Sequence, residues 1–373
     1  MASLYIHIPF CKKACHYCSF YFTLSTVKKA EFIQAICKEI ETRSDELKGQ
    51  TISSIYFGGG TPSLLSYQDL NKVLQTINLN YSIESNAEIS IESNPENLSE
   101  SYLSELLALS FNRLSIGVQS FSNSDLGIMN RNHNASQALE AVKLARNKFE
   151  NLSIDLIFGL PHSGMNQWKS NLTQAAELDI DHISTYNLTV EEKTTLARKV
   201  GRNELPIEAD DTLNEMYFHT IDYLEKNGLI QYEISNFGKL NHWSQHNISY
   251  WMQKPYLGFG PSAHSYSGQE RRWNVSNLKN YIEAINIGEN YSENEVLSIE
   301  NKYNEYVMTR LRTIFGLGID EIKTTFGENF EHHFLSKVKE LQAQNWILEE
   351  NKNYKLTSSG KVLADHLASE LML

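Results

Sequence analysis

Residues 11–18 read C-K-K-A-C-H-Y-C, three cysteines at C-x3-C-x2-C spacing. Thiols packed this densely serve metal or redox chemistry. A disulfide framework spreads its cysteines to close large loops, whereas all four here (Cys11, Cys15, Cys18 and Cys37) fall in the first tenth of the chain. Zinc would be satisfied by adding His16 or His7, but structural zinc usually draws C-x2-C couples from two segments, and there is no second couple. A [4Fe–4S] cube suits the spacing better. It normally takes four thiolates, and with three, one iron keeps an open position at which a small molecule binds. Cys37 sits beside Ile36 inside an apolar helical pattern, where a buried small hydrophobe is the plainer account.

Such a loop must be held by something rigid. SLYIHIP, immediately before it, reads as a short strand ending at Pro9. VKKAEFIQAICKEIETRSDELK spaces Phe32, Ile33, Ile36, Ile40 and Leu47 as one helix over 27–48. TISSIYF is a strand running into Gly58-Gly59-Gly60, and Ser66 with Asp69 makes a capping box before the next helix. AEISIESNP, RLSIGVQSF, LSIDLIFGLP and HISTYNLTV continue the strands, with helical patterns between them. Six strands alternating with helices before residue 191 predict right-handed strand–helix–strand units and a parallel sheet. The cysteine loop, Gly58 to Thr61, Glu92, Gln119 and Tyr186 fall at or near strand ends, the edge where such folds keep their sites, and Asp155 lies within the fifth strand. The stretch from about 192 to 290 is less regular. From about 297 helices return, with the hairpin ILEENKNYKLT before a last helix, SSGKVLADHLASELM.

With the strand pattern in place, C-x3-C-x2-C after a first strand resembles the radical S-adenosylmethionine (SAM) superfamily, and Tyr17 beside Cys18 fits that pattern. The resemblance implies that SAM chelates the open iron through its amino and carboxylate groups and is cleaved to a 5′-deoxyadenosyl radical. Within the superfamily, YIHIPFC, FGGGTPS, IESNP, RLSIGVQSF, MNRNH, DLIFGLP and YEISNF resemble oxygen-independent coproporphyrinogen III oxidase and its relatives, over nearly the whole chain. The implied fold is an α/β, incomplete (β/α)6 barrel over 1–195, an extension over 196–295 and a helical, winged-helix-like domain over 296–373. Carried over residue by residue, Cys11, Cys15 and Cys18 become cluster ligands, and Tyr5, Gly59, Gly60, Thr61, Glu92, Gln119, Arg131 and Asp155 become SAM-binding candidates. The chemistry agrees: Glu92 suits the ammonium, Arg131 the carboxylate, Gln119 and Asp155 the ribose hydroxyls, and the glycines a close backbone approach.

The true oxidases of this family carry a fourth cysteine two residues after the third and a longer N-terminal extension. Here Phe20 takes that position and four residues precede Tyr5. Both departures resemble the HemW class of haem chaperones, as does His246-Asn247-Ile248-Ser249-Tyr250-Trp251, an H-N-x-x-Y-W motif. That resemblance implies haem as a ligand, His246 as its candidate axial ligand and haem-accepting respiratory proteins as receivers. The alternative is an oxygen-independent coproporphyrinogen III oxidase or another radical SAM oxidoreductase of porphyrin metabolism. His264 and His242 are weaker haem candidates.

Composition narrows the setting. Among 373 residues, 41% are hydrophobic and 21% charged, as in an ordinary globular protein. No apolar run reaches membrane-spanning length, and MASLYIHIPF lacks the features of a secretory signal, so a cytoplasmic, soluble protein is expected. Peripheral membrane contact and a homodimer stay compatible with that expectation. A net charge of -12 argues against nucleic acid. The C-terminal region mixes its basic residues with Glu300, Glu305, Asp320, Glu321 and Glu328, leaving no basic stripe.

Overall fold

The computed structural model describes residues 1–373. Strands β1 (Ala2–Ile8), β2 (Ile52–Gly59), β3 (Ile83–Ser93), β4 (Arg113–Gln119), β5 (Asn151–Phe158) and β6 (His182–Asn187) lie side by side in chain order. Every neighbouring pair is parallel. Helices Lys29–Thr42, Tyr67–Asn80, Glu100–Ala108, Ala135–Arg146 and Gly164–Glu177 fill the crossovers. β4 is buried at every position and β1 at all but Tyr5, as strands covered on both faces must be. The expected capping box at Ser66 and Asp69 starts the second of these helices.

The sheet stays open. The free edge of β1 pairs, in parallel, with Tyr256–Phe259 rather than with β6. Three antiparallel strands extend that side, and Asn236–Gly238 then Ile230–Gln231 extend the β6 side, giving a 12-stranded partial barrel. The region expected to be irregular therefore supplies both flanks of the sheet. It also holds a 17-residue helix, Asp210–Lys226, which buries Met216, Tyr217, Ile221 and Leu224.

The helix expected over 27–48 ends at Thr42 and is followed by a 3-10 turn, Ser44–Leu47. The cause is Arg43. Its guanidinium turns inward to bond Glu39 at 3.1 Å, the Gly258 carbonyl at 2.8 Å and Glu46 at 2.8 Å, and the backbone leaves the helical path to allow it. The last helix is likewise two pieces, Ser358–Lys361 and Ala364–Leu371.

Two hydrophobic cores organise the chain. One runs from Ala2 to Ile285 and the other from Tyr303 to Leu371. The second lies among helices Ile299–Leu311, Ile319–Phe326, Glu328–Ala343 and Ala364–Leu371, beside a three-stranded sheet that includes the expected hairpin, Ile347–Glu350 with Asn353–Leu356. Ile234, in the YEISNF segment, packs against both cores, and its N–H donates to the Arg312 carbonyl at 3.1 Å. No helix is long and apolar enough to cross a membrane.

Candidate cofactor and haem sites

The carboxyl ends of the six strands surround a cavity of about 490 Å³. Cys11, Cys15, Cys18, Gly59, Gly60, Thr61, Glu92, Gln119, Arg131 and Asp155 all line it. Ten residues spread over 145 positions of sequence thus meet at one place: eight arrive by a strand end or the loop beyond it, Asp155 from within β5 and Arg131 from beyond the short helix Asn123–Ile128.

The cysteine loop is pinned from outside itself. The His16 N–H donates to the Met129 carbonyl at 3.0 Å, the His16 ring bonds the Ile128 carbonyl at 2.8 Å, and the Leu196 N–H donates to the His16 carbonyl at 2.8 Å. His16 is thereby a loop anchor. Thr61 Oγ1 donates to Cys11 Sγ at 3.5 Å, and Arg131 Nη1 donates to Cys15 Sγ at 3.3 Å. Burial raises the Cys18 thiol and pushes that of Cys11 up to about 11, so ligation there displaces protons. No three His, Cys, Asp or Glu side chains converge as ligands of a single ion would. The three thiols share the cavity wall, an arrangement that suits a cube in which each thiolate takes its own iron. Phe20, 70% exposed, lines the same cavity where a fourth cysteine would stand.

Around the thiols the wall is polar and organised. Arg131 Nη2 donates to Asn94 Oδ1 at 2.6 Å and to the Gly117 carbonyl at 2.8 Å, while its buried Nε has no partner. An unpartnered donor on a buried guanidinium is costly unless a ligand satisfies it, and a carboxylate fits its fork. Tyr56 Oη donates to Glu92 Oε1 at 2.8 Å. Burial, with Asp155 nearby, raises the Glu92 carboxyl to about 7, and burial raises Asp155 to about 6 despite hydrogen bonds from Ser184 and Ser115. Two buried acids held near their titration points suit a cationic ligand, which would restore both charges.

The backbone explains the glycines. Gly59 has φ +106, and a Cβ there would meet the His7 ring at 2.6 Å. At Gly60 a Cβ would meet the carbonyls of Ile8 and Phe10 at 2.8 Å. Gln119 ends β4 at φ +67, a conformation costly for a side-chain-bearing residue and typical of functional edges. Two contributors escaped the sequence reading. Asn94 bridges Arg131 to Thr61, its Nδ2 donating to Thr61 Oγ1 at 3.3 Å. Gly117 leaves room for Gln119 and Arg131: a Cβ there would lie 2.9 Å from Gln119 Nε2. A glycine inside the strand RLSIGVQSF was the available signal for the second.

Two expected site residues lie outside this wall. Tyr5 sits beneath it. His7 Nε2 must donate to the Tyr21 carbonyl (3.2 Å), so its Nδ1 accepts the Tyr5 hydroxyl at 3.1 Å, and the Tyr5 ring stacks on Tyr56. His246 is 1% exposed, and its ring stacks on Tyr56 with centroids 4.9 Å apart. Burial lowers its imidazole to about 3. Its Nδ1 meets Ser54 Oγ and its Nε2 meets Tyr250 Oη, both at 2.9 Å, so neither nitrogen is free to bind iron in this arrangement. HNISYW forms the helix Gln245–Trp251, whose first turn is capped by Ser244 and by Glu88, which accepts the N–H groups of Gln245 and His246. That helix borders a second cavity of about 560 Å³. Tyr186 lines both cavities. His264 stacks on Trp273, and His242 offers its carbonyl to Arg113; neither lines either cavity.

Residues 5–174 match the model of the Radical SAM superfamily, and residues 297–363 match that of the HemN C-terminal domain. An open parallel barrel with three thiols and a glycine turn at its strand ends is, by fold and site, a radical SAM protein. The chain is 34% identical over 372 residues to the heme chaperone HemW of Bacillus subtilis, covering 98% of each. It is 32% identical over 373 residues to the heme chaperone HemW of Lactococcus lactis, covering 100% of this chain and 97% of that one. The chain belongs to the HemW family. Among solved structures it is similar to coproporphyrinogen III oxidase (HemN) from Escherichia coli, a radical SAM enzyme, with a TM-score of 0.86 and 25% identity over 100% of this chain and 90% of that one.

Proposed function

We propose that this protein is a haem chaperone, which binds haem together with a [4Fe–4S] cluster and SAM and hands the haem to respiratory proteins. The observation that carries the reading is similarity to heme chaperones over the full chain, joined to Phe20 in the cavity wall where the oxidases of this family place a fourth cysteine. On this reading Cys11, Cys15 and Cys18 hold the cluster. Arg131 takes the SAM carboxylate, Glu92 its ammonium, Gln119 and Asp155 the ribose, and Gly59, Gly60 and Thr61 shape the close approach. Tyr5 acts from beneath, by fixing Tyr56 and His7. When bound, cluster and SAM together supply reductive cleavage of the sulfonium. The chain's own residues bind and orient the two and restrict water around them.

Haem is assigned to the region of the HNISYW helix, apart from the SAM cavity, with His246 contributing to its binding. A division near residue 295 is supported by the separate core that begins at Tyr303, whereas the first core runs on through residue 195. Receivers met at a membrane surface, and a pairing of two copies, are the partners this role would call for.

The test is an anaerobic haem titration of the reconstituted protein. Saturation near one haem per chain supports the reading, and absence of saturable binding overturns it. In the same preparation Cys15→Ala should lose iron and sulfide, and Arg131→Ala should weaken SAM binding. Coproporphyrinogen III oxidation is the second reading, favoured by the structural likeness to HemN. Sustained formation of protoporphyrinogen IX would establish it.

A further inference from the structure

A recess of about 450 Å³ lies where the outer face of the sheet meets the C-terminal region. The alternation of β6 fixes the face. His182, Ser184 and Tyr186 line a small polar space inside the barrel with Glu92 and Asp155, so Thr185 between them points the other way. There it shares the recess with Leu213 and Tyr217 of the helix Asp210–Lys226 and with Val362 of the C-terminal region. A strand position covered in this way ordinarily takes an aliphatic side chain, and valine has the shape of threonine. Thr185 is 2% exposed, yet its Oγ1 has no hydrogen-bond partner. A hydroxyl buried so completely costs about 1–3 kcal/mol unless something satisfies it.

Lys361 closes the short helix Ser358–Lys361 and lines the same recess. Its ammonium makes a single hydrogen bond, to Gln231 Oε1 at 2.7 Å. That amide is fixed, because Gln231 Nε2 donates to Tyr217 Oη at 2.8 Å and to the Ile234 carbonyl at 3.0 Å. The lysine is thus aimed by a neutral acceptor and keeps two N–H donors. Burial lowers its pKa from the ordinary value, and Glu225 opposes this only from beyond ion-pair distance. Arg312 is the second cation. It holds Asp365, the one acid that lines the recess. Two cations and one acid leave a single positive charge there, in a chain whose net charge is -12. That balance suits a monoanion and leaves a dianion partly uncompensated. Phe158, Leu213 and Ile234 make the remaining wall apolar, and the volume lies in the range of small-molecule sites.

We propose that this recess binds a small organic carboxylate with an apolar body, its carboxylate drawn to Lys361, the Thr185 hydroxyl serving as a further donor, and its body lying against Leu213 and Val362. Such a ligand touches both parts of the chain at once. Thr185 and Leu213 belong to the barrel, and Lys361 and Val362 to the C-terminal region, so occupancy fastens one to the other. Asn187 and Thr189 line both this recess and the cavity that holds the three thiols. The site is separate from that cavity and stands independently of the haem reading.

The experiment is a calorimetric titration of the full chain with hexanoate and with benzoate, beside hexan-1-ol and inorganic phosphate, for wild type, Lys361→Met, Lys361→Arg and Thr185→Val. Unchanged SAM affinity in each variant shows that it is folded. At least one of the two carboxylates should bind wild type saturably at one per chain, and more tightly than either the alcohol or phosphate. Lys361→Met should weaken it about tenfold or more, the usual value of a hydrogen bond to a charged group, and Lys361→Arg should retain most of the affinity. Thr185→Val should weaken it about fivefold, yet the variant without ligand should melt no lower than wild type, because its methyl replaces a hydroxyl that had no partner. Absence of saturable binding by both carboxylates would overturn the proposal. So would equal affinity in wild type and Lys361→Met, or tighter binding of the alcohol or of phosphate. A lower melting temperature for unliganded Thr185→Val would remove Thr185 from the site by showing that its hydroxyl serves the fold.

Discussion

At the residue scale, Glu92 carries the sharpest conflict between stability and binding. Its carboxyl is raised to about 7 by burial and by Asp155. A carboxyl whose folded value lies above its unfolded one stabilises the fold fully below the unfolded value, and that contribution is lost as pH rises through about 7. SAM binding should run the other way, weakening as pH falls through about 7, because the protonated acid no longer offsets the ligand's ammonium. Glu92→Gln is expected to raise the apo melting temperature at pH 8, to leave it nearly unchanged at pH 4.5, and to weaken SAM roughly 10- to 100-fold. Melting curves at the two pH values, with SAM titrations by calorimetry, check all three outcomes. Gly59→Ala is the opposite case. Its φ of +106 and the His7 ring 2.6 Å from the added Cβ predict a loss of about 1–3 kcal/mol. Denaturant unfolding together with iron content would measure it.

At the element scale, the helix Gln245–Trp251 is short enough that its start decides its placement. Ser244→Ala removes a capping hydroxyl and should cost about 1 kcal/mol. It should also weaken haem binding while SAM affinity stays put, which paired titrations would read. The same helix shows where the sequence was legible and where it was not. HNISYW was recognisable as a motif, and the six strands were readable because each ends in a glycine, proline or polar cluster. The burial of His246 was not readable, since it depends on Ser3 and Ser54, on strands some 190 or more residues away in the chain. The flanking strands were missed for a related reason. Segments of two to five residues carry too little periodicity, and Tyr256–Phe259 is a strand because β1 offers it an edge. Asn94 escaped because its value lies in bridging Thr61 and Arg131, a relation across loops rather than a spacing. The glycine turn, the thiols and the strand-end acids were legible because each has a chemical type that a bland scaffold does not require.

At the scale of the molecule, the two cavities share the Tyr186 wall, and Tyr56 bonds Glu92 on one side while stacking on His246 on the other. Occupancy of one cavity should therefore alter the other. Haem affinity measured with and without SAM is expected to differ by about fivefold or more. Thermodynamic reciprocity requires SAM affinity to change by the same factor when haem is added. Equal affinities in both pairs of titrations would mean that the shared wall is passive.

The pinning of the cysteine loop also bears on the order in which the protein is made. Cys11, Cys15 and Cys18 leave the ribosome long before the partners that hold their loop, Ile128, Met129, Arg131 and Leu196. At a synthesis rate of about 5–20 residues per second, the thiols wait roughly 10–40 s before the chain that shapes their site exists. For that interval the nascent protein carries three unshielded thiols. Iron loading of a shaped site thus follows the synthesis of Leu196, and oxidants present during translation are as much a threat to this centre as any that reach the mature fold.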